Sequence, residues 1–82
     1  MSAIIEVFYP LPRDEAQERT ITKIVSAYQG HLDYAEQTYI PGVSQTVTLT
    51  YVFPDRSKAE KAERAVQEQG FHTERCDDYP AA

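Results

Sequence analysis

Near the end of the chain, three residues whose side chains readily do chemistry alternate along one segment: His72, Glu74 and Cys76. Alternate residues of a β-strand project from one face, so these side chains would lie together, and Glu6 on a neighbouring strand could join them. Imidazole, carboxylate and thiolate groups are all ligands of zinc. The pattern H-x-E-x-C is nevertheless not a known zinc-ligand spacing. We therefore predict solvated edge residues with an inert thiol, and neither a metal nor a cofactor.

Glu6 and His72 are also the residues that could form an acid–base pair. A flat sheet surface, however, offers little cavity from which water could be excluded. There is no glycine-rich phosphate loop, because Gly30, Gly42 and Gly70 are each explained by a helix end or a turn. We predict no catalytic residue, and a small enzyme using Glu6 and His72 stays as an alternative.

In the first half of the chain, a strand and then a helix are expected. Residues 3–9 are rich in strand formers and stop at Pro10. Asp14 and Glu15 then suit the first turn of a helix, because carboxylates complement its positive end. Helical spacing places four apolar residues on one face: Ile21, Ile24, Val25 and Tyr28. Gly30 is expected to end this helix in the left-handed conformation.

In the second half, two strands and a turn precede another helix. Residues 45–53 alternate apolar and β-branched polar side chains, which is typical of a strand. Residues 31–38 form the strand before it, and Pro41-Gly42 predicts a type II turn within a fairly long loop, 39–43.

The second helix is expected to begin after Pro54, capped by Asp55 or by a capping box that starts at Ser57. Gly70 ends this helix, and residues 71–76 form a short fourth strand. Residues 77–82 are an acidic tail.

The element order βαββαβ resembles the ferredoxin-like superfold over residues 3–76. The resemblance implies an α+β sandwich, with an antiparallel four-stranded sheet in the order 4-1-3-2 and both helices on one face. We treat residues 1–82 as a single domain, which is the size expected of so short a chain.

Strand alternation then assigns side chains to the two faces of the sheet. The helical side would hold Ile5, Val7, Leu32, Tyr34, Val47, Leu49, Tyr51, Phe53 and Phe71. The open face would hold Ile4, Glu6, Phe8, Thr46, Thr48, Thr50 and Val52. His31, Asp33 and Ala35 would follow one edge of the open face, and His72, Glu74 and Cys76 the other.

The open face is the surface most informative about function, because exposed apolar patches on small domains often mark partner surfaces. We expect a small non-catalytic protein-interaction or regulatory module, associating through the open face or a sheet edge. Its partner would be a second copy, giving a homodimer, or another protein. The interface residues under this hypothesis are Ile4, Phe8, Thr46, Thr48, Thr50 and Val52.

Tyr39, Ile40 and Val43 form an apolar loop that could dock a partner or cover the sheet end. The alternative is a small-molecule sensor or carrier with a site at a dimer seam.

Charge argues against a nucleic-acid or membrane partner. Eight basic and 13 acidic residues give a net charge of −5, whereas binding to phosphate backbones or anionic lipid depends on basic residues. RNA-recognition modules of this fold stack bases on aromatic residues of the central strands. Phe8 is the single aromatic residue that the central strands are expected to present on the open face.

Composition also bears on location. No apolar run approaches the roughly 18 residues of a membrane-spanning helix, and the first residues lack the basic region of a signal peptide. Cys76 is the only cysteine, which fits a reducing compartment. We therefore expect a cytoplasmic protein.

Overall fold

A computed structural model describes residues 3–76, and the acidic tail 77–82 lies outside the described residues. The elements are β1 (Ala3–Pro10), α1 (Glu15–Ser26), β2 (His31–Ile40), β3 (Ser44–Phe53), α2 (Arg56–Glu68) and β4 (His72–Arg75). They form an antiparallel sheet in the order β2-β3-β1-β4. This is the predicted order 4-1-3-2 in reverse, so the βαββαβ layout and the α+β class are confirmed. Within residues 3–76, no helix is long and apolar enough to cross a bilayer.

The predicted alternation holds in the two central strands. Odd-numbered residues of β1, and those of β3 from Val47 onward, lie against the helices and are buried, while the even-numbered residues other than Pro10 form a half-buried open face. The helices contribute five buried apolar side chains, two from α1 and three from α2: Ile21, Val25, Ala59, Ala62 and Val66. Tyr9 joins this core although the sequence analysis did not assign it there.

The end of α1 differs from its predicted form. Gln29, and not Gly30, has the positive φ, 66°. Gly30 is buried, and a Cβ atom on it would lie 2.4 Å from the Phe53 ring and 2.5 Å from Val25. Glycine is therefore required at position 30 by close packing, while a non-glycine residue holds the left-handed conformation.

The start and end of α2 follow the sequence signals. Asp55 is the N-cap, and its Oδ1 accepts a hydrogen bond from the Lys58 amide at 2.9 Å. Its carboxylate has a lowered pKa, chiefly because that amide donates to it. Gly70 has a φ of 94°, as expected just after a helix, and Phe71 packs against the core.

A β-bulge interrupts β2 near its beginning. Leu32 opposes Tyr51, which faces the helices, whereas Tyr34 opposes Thr50, which faces away from them. Opposing residues of a ladder project to the same side, so Asp33 is the extra residue of the bulge. The insertion reverses the alternation of every side chain that follows it.

Two of the predicted orientations in β2 are therefore wrong. Tyr34, assigned to the core, lies on the open face, and Ala35, assigned to the open face, lies on the helical side and packs against the core. Leu32 is on the expected helical side, but 40% of it is exposed. His31 lies on the open face opposite Val52, as expected.

The connection between β2 and β3 is shorter than predicted. Tyr39 and Ile40 belong to β2, and β3 begins at Ser44, so only three residues join the strands. The Val43 amide donates to the Ile40 carbonyl at 2.9 Å, and Gly42 has a φ of 74°. These are features of a type II turn, with Pro41 in its second position.

Candidate functional site

The six proposed interface residues all lie on the open face, in two adjacent strands. Ile4 opposes Val52, Phe8 opposes Thr48, and Thr50 opposes Glu6. Each of these side chains is half-buried, because neighbours on both sides of a central strand cover it. The apolar surface here is thus smaller than its composition suggests.

Cys76 lies beside Glu6, as the sequence analysis considered. The Cys76 Sγ donates a hydrogen bond to the Glu6 Oε1 at 3.1 Å, and the Cys76 amide donates to the Ile4 carbonyl at 2.9 Å. A thiol that donates to a carboxylate carries its proton, whereas the reactive form is the thiolate. This contact holds the thiol against Glu6 of β1.

His72 and Glu74 form a separate pair on the same edge. The His72 Nε2 lies 3.3 Å from the Glu74 Oε2, and the His72 ring packs on Phe8 with ring centroids 5.4 Å apart. Within residues 3–76, no hydrogen bond joins Glu6 to His72, so the structure does not assemble the considered acid–base pair. Nor does any group of three or more potential ligands in that range have a geometry that could hold a metal ion.

The depression nearest these residues lies at the end of β1. Phe8, Pro10, Thr46 and His72 line it, and it is broadly open to solvent. A site that excludes water would need more enclosing walls than this surface supplies.

At the beginning of α1, a polar network was missed by the sequence analysis. The Glu18 Oε2 accepts hydrogen bonds from the Tyr9 hydroxyl and the Arg13 Nε, each at 2.6 Å. The Tyr9 hydroxyl in turn accepts from the Asp14 amide at 3.0 Å. The five-residue spacing of Arg13 and Glu18 is not a helical pairing distance, so no sequence signal marks them.

Ionisation of this network follows from its contacts. The hydrogen bond from Arg13 holds the pKa of Glu18 below its ordinary value. Burial raises the pKa of Tyr9, as it does that of Tyr51, whose hydroxyl lies 2.8 Å from the Thr22 hydroxyl. Each group has a partner within the fold, which indicates a structural role in holding α1 against the sheet.

A second network ties β4 to α2. The Thr73 hydroxyl donates to the Glu63 Oε2 at 3.0 Å and accepts from the Gln67 Nε2 at 2.7 Å. The Arg75 guanidinium pairs with Glu60 and Glu63. The polar groups of this network are therefore paired within the fold, and their bonds anchor β4 to α2.

The unusual surface is at the other edge of the sheet. Among the described residues, the large apolar side chains that stand exposed all belong to β2 or its turn, and their exposure ranges from 40% to 79%: Leu32, Tyr34, Tyr39, Ile40 and Val43. Sequence analysis singled out Tyr39, Ile40 and Val43 as a loop, but it placed Leu32 and Tyr34 in the core. The bulge at Asp33 places Tyr34 on the open-face side of this edge, as Ile40 is, while Leu32 and Tyr39 lie on the helical side.

The open face carries acidic side chains from three strands, β2 among them. Glu6, Glu36 and Glu74 lie on the open face, where the described strands carry no Lys or Arg. Stacking two such faces would bring carboxylates together, which opposes association.

No protein-family model matches the chain, and no significant match was found among curated protein sequences.

Proposed function

We propose that this chain is a small non-catalytic interaction module that works as a homodimer, with β2 and its turn at the contact. The observation that carries the proposal is the concentration of exposed apolar side chains there. Apolar patches on small domains commonly mark protein contacts. A short chain also gains stability from association, because its own core is small.

The catalytic and ligand-binding alternatives have less support. An enzyme based on Glu6 and His72 would need a hydrogen-bonded pair, but each of these residues is bonded elsewhere. A sensor or carrier would have its site at a dimer seam, and the depression beside Phe8 on the single chain is open and gives that alternative no direct support. Self-association needs only the surface that β2 presents.

The test is the solution mass as a function of concentration. The chain has a monomer mass of 9.3 kDa, and sedimentation equilibrium should give twice that value at micromolar concentrations. Tyr34→Asp should weaken the dimer at least tenfold, since it replaces one of the exposed apolar side chains of β2 with a charge. Gln17→Asp, on the exposed surface of α1, is the matched control and should leave the mass unchanged. A monomer mass for the unmodified chain up to about millimolar concentration would overturn the proposal.

A further inference from the structure

The two edges of the sheet differ in how well they are protected against pairing. β4 has only four residues, and its Arg75 is held by α2. β2 has ten residues, contains neither proline nor lysine, and pairs with β3 alone among the described strands. Short length and charged side chains are the usual protection of an edge strand, because an unprotected edge exposes free N–H and C=O groups. In β2 that protection is limited to the bulge at Asp33 and the charge of Glu36.

Only part of β2 can pair regularly with another strand. The bulge at Asp33 interrupts the ladder at one end, and Pro41 begins the turn at the other. Between them, residues 34–40 run without irregularity against β3. We refer to residues 34–40 as the β2 edge.

The sequence of the β2 edge is complementary to itself. If two copies pair antiparallel about Gln37, Tyr34 of one copy opposes Ile40 of the other, and Ala35 opposes Tyr39. Apolar residues then meet on both sides of the sheet, and pairs of this kind stabilise antiparallel strands. Glu36 opposes Thr38, so no two carboxylates stand directly opposite each other, and the two Glu36 residues lie on a diagonal.

Neighbouring symmetric registers are less favourable. Centring the pairs on Glu36 sets that carboxylate against its own copy and extends the pairing into the bulge at Asp33. Centring them on Thr38 sets Pro41 against Ala35, and proline has no N–H to donate. Both alternatives also separate Tyr34 from Ile40.

We propose that two copies of this chain join by antiparallel pairing of their β2 edges, with Gln37 on the two-fold axis. The result is one continuous eight-stranded sheet with all four helices on the same side. Main-chain hydrogen bonds give such strand addition its affinity, and the opposed side chains give its register. This inference rests on the proposed homodimer and specifies its contact.

A charge exchange at Gln37 tests the two-fold axis. Gln37 is exposed, so substitutions there should leave the fold intact. Gln37→Glu alone and Gln37→Lys alone each set like charges opposite one another and should raise the dimer dissociation constant about threefold to fivefold. An equimolar mixture of the two variants should recover the affinity of the unmodified chain. Gln17→Glu and Gln17→Lys on α1 are the matched controls and should show neither loss nor recovery.

Disulfide formation gives an independent readout of the register. In a Cys76→Ser background, Gln37→Cys places two thiols directly opposite each other, where a disulfide can form. Glu36→Cys places them on a diagonal about 7–8 Å apart, which is too far to bridge readily. Oxidation should therefore yield a covalent dimer from the first variant and little from the second.

The outcomes distinguish pairing of the β2 edges from the more general proposal that the chain forms a homodimer. Recovery on mixing, together with cross-linking at position 37, supports pairing of the β2 edges. A dimer that shows neither overturns the edge contact and leaves self-association standing. A chain that stays at 9.3 kDa overturns both.

Discussion

At the scale of single residues, the end of α1 is where conformation and packing impose different demands on adjacent positions. Gln29 turns the chain with a φ of 66°, which costs a residue with a Cβ roughly 1–2 kcal/mol. The next residue, Gly30, must lie against the Phe53 ring and Val25, where a Cβ would overlap both. Both positions favour glycine, but for different reasons, and only one of them has it.

Two substitutions distinguish these demands. Gly30→Ala should lower the free energy of unfolding by about 1–3 kcal/mol, because overpacking forces the surrounding side chains to move. Gln29→Gly should raise it by up to about 1 kcal/mol, because glycine adopts a positive φ without steric cost. Urea unfolding of both variants measures these changes. A neutral Gly30→Ala would show that Phe53 can move aside at no cost.

At the scale of elements, the bulge in β2 decides which side chains reach which face. Leu32 keeps its place on the helical side because it precedes the bulge, while Tyr34 and the residues after it are displaced by one position. The pattern of residues 31–40 is not strongly alternating, so nothing in it indicates where the extra residue lies. The threonines of β3 alternate clearly with apolar residues, and the orientation of that strand was predictable for that reason.

Deleting single residues from β2 tests this account. Removal of Asp33 leaves Leu32 opposite Tyr51 and Tyr34 opposite Thr50, so the free energy of unfolding should change by only about 1 kcal/mol. Removal of Glu36, on the regular side of the bulge, inverts the faces of the neighbouring residues and should cost several kcal/mol. Thermal unfolding compares the two deletions. Equal losses would mean that Asp33 is not the inserted residue.

At the scale of the whole molecule, the helices cover one side of the sheet, and the other side remains open but acidic. Glu6, Glu36 and Glu74 make contact between two open faces unfavourable. Pairing along β2 leaves those faces side by side, with Glu6 and Glu74 away from the contact and Glu36 opposite Thr38 within it. A dimer of this kind would keep Phe8 and its neighbours accessible to a further partner.

Phe8→Asp separates the two modes of association. Under edge pairing, the variant should retain the dimer mass and lose about 1–2 kcal/mol of stability, because Phe8 is half-buried against His72. Sedimentation equilibrium on protein shown to be folded by circular dichroism gives the mass. Thr48→Glu, on the same face but with a smaller packing loss, is the companion variant. Dissociation of both variants would instead identify the open face as the contact.

The strand order of the sheet was implied by the resemblance to the ferredoxin-like superfold. The sequence by itself determined the element order, the inner and outer faces of β1 and β3, and the end of α2 at Gly70, and it offered Asp55 as one of two caps for that helix. These features follow from local periodicity and backbone preference, which act within a few residues. The tertiary structure alone decided the position of the bulge, the crowding at Gly30 and the exposure of Tyr34. Each depends on a strand or ring distant in the chain, and interactions of that range leave no periodic trace in the residues that make them.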